Sequence, residues 1–173
     1  DNTVTIQQTA HTGDGADVSL TLDGQTQEFT GVKSILVQAG DGSDRIRLLS
    51  ALTVQTQIEG EDGSDWLTGP DEVCDWTLDG AASGTAAGAT FSGIENLVGG
   101  SEADVFTMTG AFGGTIDGGG GVDGLDYSSH ADSVGVDLSA GTATDTSGVS
   151  AIETVTGGSG DDTLTGDAGN NTL

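Results

Sequence analysis

The chain has almost no positive charge. Three basic residues, Lys33, Arg45 and Arg47, stand against 28 acidic ones in 173 residues, for a formal net charge of −25. Nucleic acid and anionic membranes are bound through basic patches, and three cations cannot build one, which excludes both as partners. A single cysteine, Cys74, excludes an internal disulfide. No stretch approaches the roughly 20 apolar residues of a membrane span, so membrane insertion by a helix is not expected. Ile35-Leu36-Val37 is among the longest aliphatic runs. No signal peptide is visible at Asp1, so the chain is cytosolic, already processed, or exported by a signal outside these residues. Only two histidines occur, His11 and His130, and neither sits in a catalytic motif. Paired carboxylates are too common here to mark an acid–base site, so no enzyme is expected.

Glycine and acid are what the chain has instead. It carries 31 glycines and only 4% aromatics. Low hydrophobicity with high net charge is the composition of a disordered chain unless something neutralises it. Two like charges 4 Å apart repel by roughly 1 kcal/mol in water and about 4 at an effective dielectric of 20. Multivalent cations are the natural partner of such a surface.

The acids and glycines recur in a pattern. "TGVKSILVQAGDGSDRI" (30–46), "SGIENLVGGSEADVF" (92–106) and "SGVSAIETVTGGSGDDTL" (147–164) share one plan: an apolar stretch, then a glycine–acid turn closed by Asp and an apolar residue. Their turns centre on Gly42, Glu102 and Gly160, about 58 to 60 residues apart. "IEGEDGSDWL" (58–67) and "IDGGGGVDGL" (116–125) interleave with them, centred on Gly63 and Gly121. With weaker turns at 79–84 and 139–144, the chain turns about every 18 to 21 residues. Between turns lie strand-like runs such as "VSLTL" (18–22), "LTVQTQI" (52–58), "DWTL" (75–78) and "VGVDL" (134–138). The pattern predicts an all-β fold: a right-handed parallel β-solenoid of about 20 residues per coil, each coil burying its inward residues on its neighbours. A single domain over 1–173 is expected, with units at approximately 18–73, 74–133 and 134–173.

The turns carry a nine-residue pattern, G-G-x-G-x-D-x-U-x, where U is aliphatic. "GGGGVDGLD" (118–126) and "GGSGDDTLT" (157–165) match at every fixed position. "AGDGSDRIR" (39–47), "GEDGSDWLT" (60–68) and "GGSEADVFT" (99–107) each depart from it, "GDAGNNTL" (166–173) has Asn171 for Asp, and "TGDGADVSL" (12–20) is the weakest copy. Glycine turns can bring carbonyls inward, and Asp adds charge. Hard cations such as Ca²⁺ take six to eight such oxygens at about 2.3–2.6 Å.

These residues resemble the RTX (repeats-in-toxin, haemolysin-type) calcium-binding repeats of large secreted or cell-surface bacterial proteins. The resemblance implies a parallel β-roll, Ca²⁺ in the turns and export in an unfolded state. It assigns Ca²⁺ ligation to Asp123 and Asp162, and by weaker copies to Asp44, Asp65 and Asp104. It adds carbonyls from Gly40, Gly42, Gly63, Gly118, Gly119, Gly121, Gly157, Gly158 and Gly160. Because tandem copies occur only at 157–173, ions are expected mainly along one edge, shared between turns 42 and 63 and between 102 and 121. The function implied is an extracellular, calcium-stabilised spacer, adhesin segment or filament subunit. The alternative is the secretion and folding module of a toxin or hydrolase.

Further readings follow from single features. Cys74 is expected to face inward as a small apolar residue, and Trp66 and Trp76 to pack over coil ends. The register from Gly169 to the Gly15 of a second copy suggests head-to-tail stacking, with "NTVTIQQ" (2–8) as the intervening strand. Finally, "VSLTLDGQTQEF" (18–29) reads as a hairpin with an Asp-Gly turn, the kernel of a rival, calcium-independent β-sandwich.

Overall fold

The computed structural model describes residues 1–12 and 15–173, and every regular element among them is a strand. No helix there is long and apolar enough to cross a membrane. The chain opens with an antiparallel meander of β1 (Thr3–Thr12), β2 (Gly15–Leu22) and β3 (Gln25–Val32). It then alternates between two sheets through β4 (Ser34–Gln38), β5 (Arg45–Leu48), β6 (Gln55–Glu59) and β7 (Trp66–Thr68). A second meander follows: β8 (Asp75–Gly80), β9 (Ser83–Ala86) and β10 (Ala89–Ser92). Alternation resumes with β11 (Asn96–Gly100), β12 (Val105–Met108), β13 (Thr115–Gly119) and β14 (Gly124–Asp126). A short hairpin of β15 (Gly135–Asp137) and β16 (Thr142–Ala143) precedes β17 (Gly148–Ser150), β18 (Thr154–Thr156) and β19 (Thr163–Thr165).

The first sheet has the order β17-β13-β11-β7-β5-β1-β2-β3, and the second β18-β14-β12-β8-β9-β10-β6-β4. A three-stranded sheet, β16-β15-β19, lies beside them. Apart from the meanders and the β15–β16 hairpin, neighbouring strands run parallel. In a parallel ladder like positions stack, so each apolar residue two places after an acid meets its counterpart. Val4, Ile46, Leu67, Leu97, Ile116 and Val149 form one inward row. Trp76, Phe106, Leu125 and Val155 form another on the second sheet.

Two expected coil boundaries prove to be hairpins. Residues 79–84 form the β8–β9 turn, and 139–144 the β15–β16 connection. The chain doubles back there instead of advancing, so parallel-paired residues lie 21 or 19 apart in some places and 30 in others. Gly84 makes the first insertion possible, because a Cβ there would come within 2.9 Å of the Phe91 ring.

The 18–29 hairpin is present as read. It turns at Asp23-Gly24, with φ of 48° and 79°, the pair a type I′ turn needs. It does not found a sandwich, since β1 of the same meander pairs in parallel with β5 and so extends a mainly parallel sheet. This corrects the role given to residues 2–8: β1 has β2 on one side and β5 on the other, leaving no free edge for a second copy. In the weak copy at 12–20, Gly13 and Asp14 lie outside the described residues, and Gly15–Leu22 is an antiparallel strand.

The aromatic pair divides. Trp76 is fully buried, stacked on Phe106 and edge-on to Phe91. Trp66 instead stands half-buried on the outer face of the first sheet, beneath the Arg45 guanidinium at 4.8 Å. Packing over a coil end therefore describes neither residue well. Cys74 does face inward, at 4% exposure.

Candidate metal centre

The turns of the nine-residue pattern do not share one edge. Residues 39–44 and 60–65 connect the second sheet to the first, whereas 99–104 and 118–123 connect the first to the second. The expected single row is therefore two rows, because the β8–β10 meander shifts the later turns to the opposite edge. Within each row the turns stack as expected: Gly42 and Gly63 form a parallel bridge, and Gly121 sits against Glu102.

Each row is held by a ladder of carboxylates. On the first edge, the Asp44 amide donates to Asp65 Oδ1 at 2.8 Å, and the Asp65 amide to Glu95 Oε2 at 3.0 Å. The Asn2 amide donates to Asp44 Oδ1. On the second edge, the amides of Cys74, Asp104 and Asp123 donate to Asp104 Oδ1, Asp123 Oδ1 and Glu153 Oε2, each at 2.8 Å. A shorter copy joins the Val134 amide to half-buried Asp162 Oδ1 at 3.0 Å. Asn171 departs from the scheme, since its Oδ1 accepts from Asp167 within its own turn.

Only one oxygen of each aspartate is used this way. Asp44, Asp65, Asp104 and Asp123 are at most 1% exposed, and the Oδ2 of all four is buried without a hydrogen-bond partner. A buried polar atom left unpaired costs about 1–3 kcal/mol, and more when it is charged. Burial accordingly pushes Asp104 up to about 6, against the pull of the Cys74 amide, with nearby Asp123 adding to the rise. Burial also raises Asp65 and Asp123, again opposed by the amides they hold.

The first glycine of the pattern makes room for that spare oxygen. A Cβ on Gly60 or Gly118 would collide with the carbonyl of Gly93 or Ala151 and would also lie 2.7 Å from the Oδ2 of Asp65 or Asp123. A Cβ on Gly99 or Gly157 would collide with the Oδ2 of Asp104 or Asp162. The later glycines serve backbone shape. Gly40, Gly42, Gly119 and Gly121 have φ of 89°, 122°, 91° and 128°, and Gly63 has 150°. Gly158 and Gly160 press on the backbone of His130 and Asp132, seating the last full turn.

This donor set fits a hard cation. Each turn offers one unpaired carboxylate oxygen beside glycine-rich backbone. Among the described residues no three His, Cys, Asp or Glu side chains converge on one point. A six- to eight-oxygen shell would therefore be completed by carbonyls, as Ca²⁺ accepts and a thiolate- or imidazole-seeking metal does not. Residues 147–173 match the family model of the RTX calcium-binding nonapeptide repeat (4 copies). Residues 147–173 are thus similar to RTX calcium-binding repeats. Such nonapeptides bind Ca²⁺, and the RTX repeat is a structural module, not a catalytic one. No curated protein and no solved structure matches the chain.

The RTX pattern alone misses four ladder residues. Glu95 and Glu153 stand in the aspartate's place within "IENL" and "IETV", and an acid two places before an aliphatic residue was the available signal. Asn2 and Cys74 occupy the same place in "NTV" and "CDW", where the residue type hides the register. The side chain of His11 lies outside the described set. His130 places Nε2 3.2 Å from Asp145 Oδ2, edge-on to buried Tyr127, and ties the β15–β16 insertion down.

Proposed function

We propose that this chain is an extracellular structural module, secreted or cell-surface associated, that folds on binding Ca²⁺. Its repeats form one right-handed parallel β-solenoid of about 20 residues per basic coil, widened by antiparallel insertions. The unpaired, buried Oδ2 on four stacked aspartates carries the proposal. Asp44 with Asp65, and Asp104 with Asp123, hold ions between successive turns, and Asp162 serves the final copy. The pattern glycines Gly40, Gly42, Gly63, Gly118, Gly119, Gly121, Gly157, Gly158 and Gly160 supply carbonyls. Where Ca²⁺ is scarce the acidic turns repel and the chain stays loose; where it is plentiful, binding energy becomes folding energy. A spacer or adhesin segment is the use that suits a rod assembled this way. The open edge of β4 and the Thr172 bridge lie at opposite ends of the second sheet, which favours end-on stacking of copies.

Far-UV circular dichroism with chelator and then with Ca²⁺ tests the central reading. A disordered spectrum that becomes β on adding Ca²⁺ is expected. Identical spectra and melting curves under both conditions would refute it. Sedimentation at rising concentration in saturating Ca²⁺ tests the stacking.

A further inference from the structure

Two of the chain's three cations stand on one small patch, and the metal ladders do not use them. The outer face of the first sheet is a grid set by the parallel register. One row runs Thr3, Arg45, Trp66, Asn96 and Thr115, and the next Thr5, Arg47, Thr68, Val98 and Asp117. Trp66 forms a ridge between two depressions. One, of about 460 Å³, is lined by both arginines with Thr5 and Thr68; the other, of about 320 Å³, by Asn96, Thr115 and Asp117. Arg45 lies over the Trp66 ring and steadies it. Arg47 is held by Asp71 at 2.8 Å, but both side chains are about half exposed, so the pair opens readily to a competitor.

The geometry points to a binding site for an acidic glycan, a carbohydrate bearing uronic carboxylates. A pyranose ring offers a C–H face to the part of Trp66 that Arg45 leaves uncovered. Its carboxylate meets the planar fork of Arg47, displacing Asp71, with Arg45 as the second cation. Thr5 and Thr68 line the arginine-side depression and are placed for sugar hydroxyls, whereas Asn96 and Thr115 already bond each other. Asp117 repels a carboxylate from the far groove, so the acidic sugar occupies the arginine side and a neighbouring sugar the other. On a chain of net charge −25 this patch is where charge complementarity favours an anion.

The test is calorimetric titration of the full chain, in saturating Ca²⁺, with a galacturonic acid trisaccharide and with a neutral hexose trisaccharide. The acidic sugar is expected to bind, and the neutral one to bind about tenfold more weakly. Arg47→Gln and Trp66→Ala are each expected to cost about tenfold in affinity for the acidic sugar, and Lys33→Gln nothing. Arg47 is exposed, so its variant keeps the fold, checked by circular dichroism in Ca²⁺. No binding by the folded wild-type chain would overturn the proposal, and so would equal binding of both sugars or indifference to both variants. Ca²⁺-dependent folding is read separately, so either idea can fail alone.

Discussion

The two carboxylate ladders are built on one plan and finished differently. Both rise through two aspartates to a glutamate, Asp44–Asp65–Glu95 and Asp104–Asp123–Glu153. The first begins at Asn2, with the Asp1 carboxylate accepting from the Ser43 amide nearby. The second begins at Cys74, a buried thiol whose acidity burial suppresses, to about 11. The first places Ala39 where the second has Gly99, so its opening turn leaves less room at the carboxylate. The difference separates two jobs of the aspartate. Its Oδ1 clamps the preceding turn wherever a backbone amide is offered, whatever residue offers it. On the proposed reading, its Oδ2 serves metal only where a second oxygen-bearing turn faces it. The Asp104–Asp123 and Asp44–Asp65 steps meet that condition; the Cys74 step does not.

The largest predicted effect comes from removing a central rung. Asp123→Ala deletes the clamp on Asp104 and, on the proposed reading, a metal oxygen with it. It should cost about 2–3 kcal/mol from the lost charged hydrogen bond alone, and Ca²⁺ titrations should show one fewer tight site. Asp65→Ala should match it if the ladders are equivalent; a much smaller loss would break the comparison. Next is Gly118→Ala, whose Cβ would collide with the Ala151 carbonyl and crowd the Asp123 oxygen. Urea denaturation in Ca²⁺ should show a loss of about 1–3 kcal/mol, whereas Ala39→Gly on the first ladder should cost less than about 1. A third change sharpens the contrast at its weakest point. Cys74→Asp should lower stability in chelator by burying another charge, and should recover that loss in saturating Ca²⁺.

Smaller is the pH dependence of the metal-free chain. Asp104 is raised from an ordinary 3.8 to about 6 in the folded state. Its favourable contribution is fully present below the unfolded value and is lost as pH rises through 6. Denaturation in chelator should therefore show greater stability at pH 5 than at pH 7. Asp104→Asn should flatten that slope, while saturating Ca²⁺ reverses the preference by favouring the ionised form.

Much of this was legible because it is written in one-letter spacing. An acid two places before an aliphatic residue fixes which side chain turns inward, so the stacked rows at Ile46, Leu67 and Leu125 could be anticipated. The hairpins could not. Ala81-Ala82 and Ala87-Gly88 lack the Asn-Gly or Asp-Gly pair that marks a hairpin turn, and only long-range pairing decides that β9 runs backwards between β8 and β10. That insertion moved the later turns to the opposite edge, which no local pattern reports. The first glycine of the motif was legible as necessary, but for a different reason: a carbonyl of the adjacent segment and the aspartate of its own turn, more than its backbone angle, forbid a side chain.

The ladder also has a direction. Every clamp is an oxygen reaching back from a later residue to the amide of an earlier one. Trimming the chain from its C-terminal side therefore strands a buried N–H, which only a fitted acceptor can rescue. Trimming from the N-terminal side frees a carboxylate instead, which water or an ion satisfies at little cost. Shortened from the front, such a ladder should lose less than when shortened from the back.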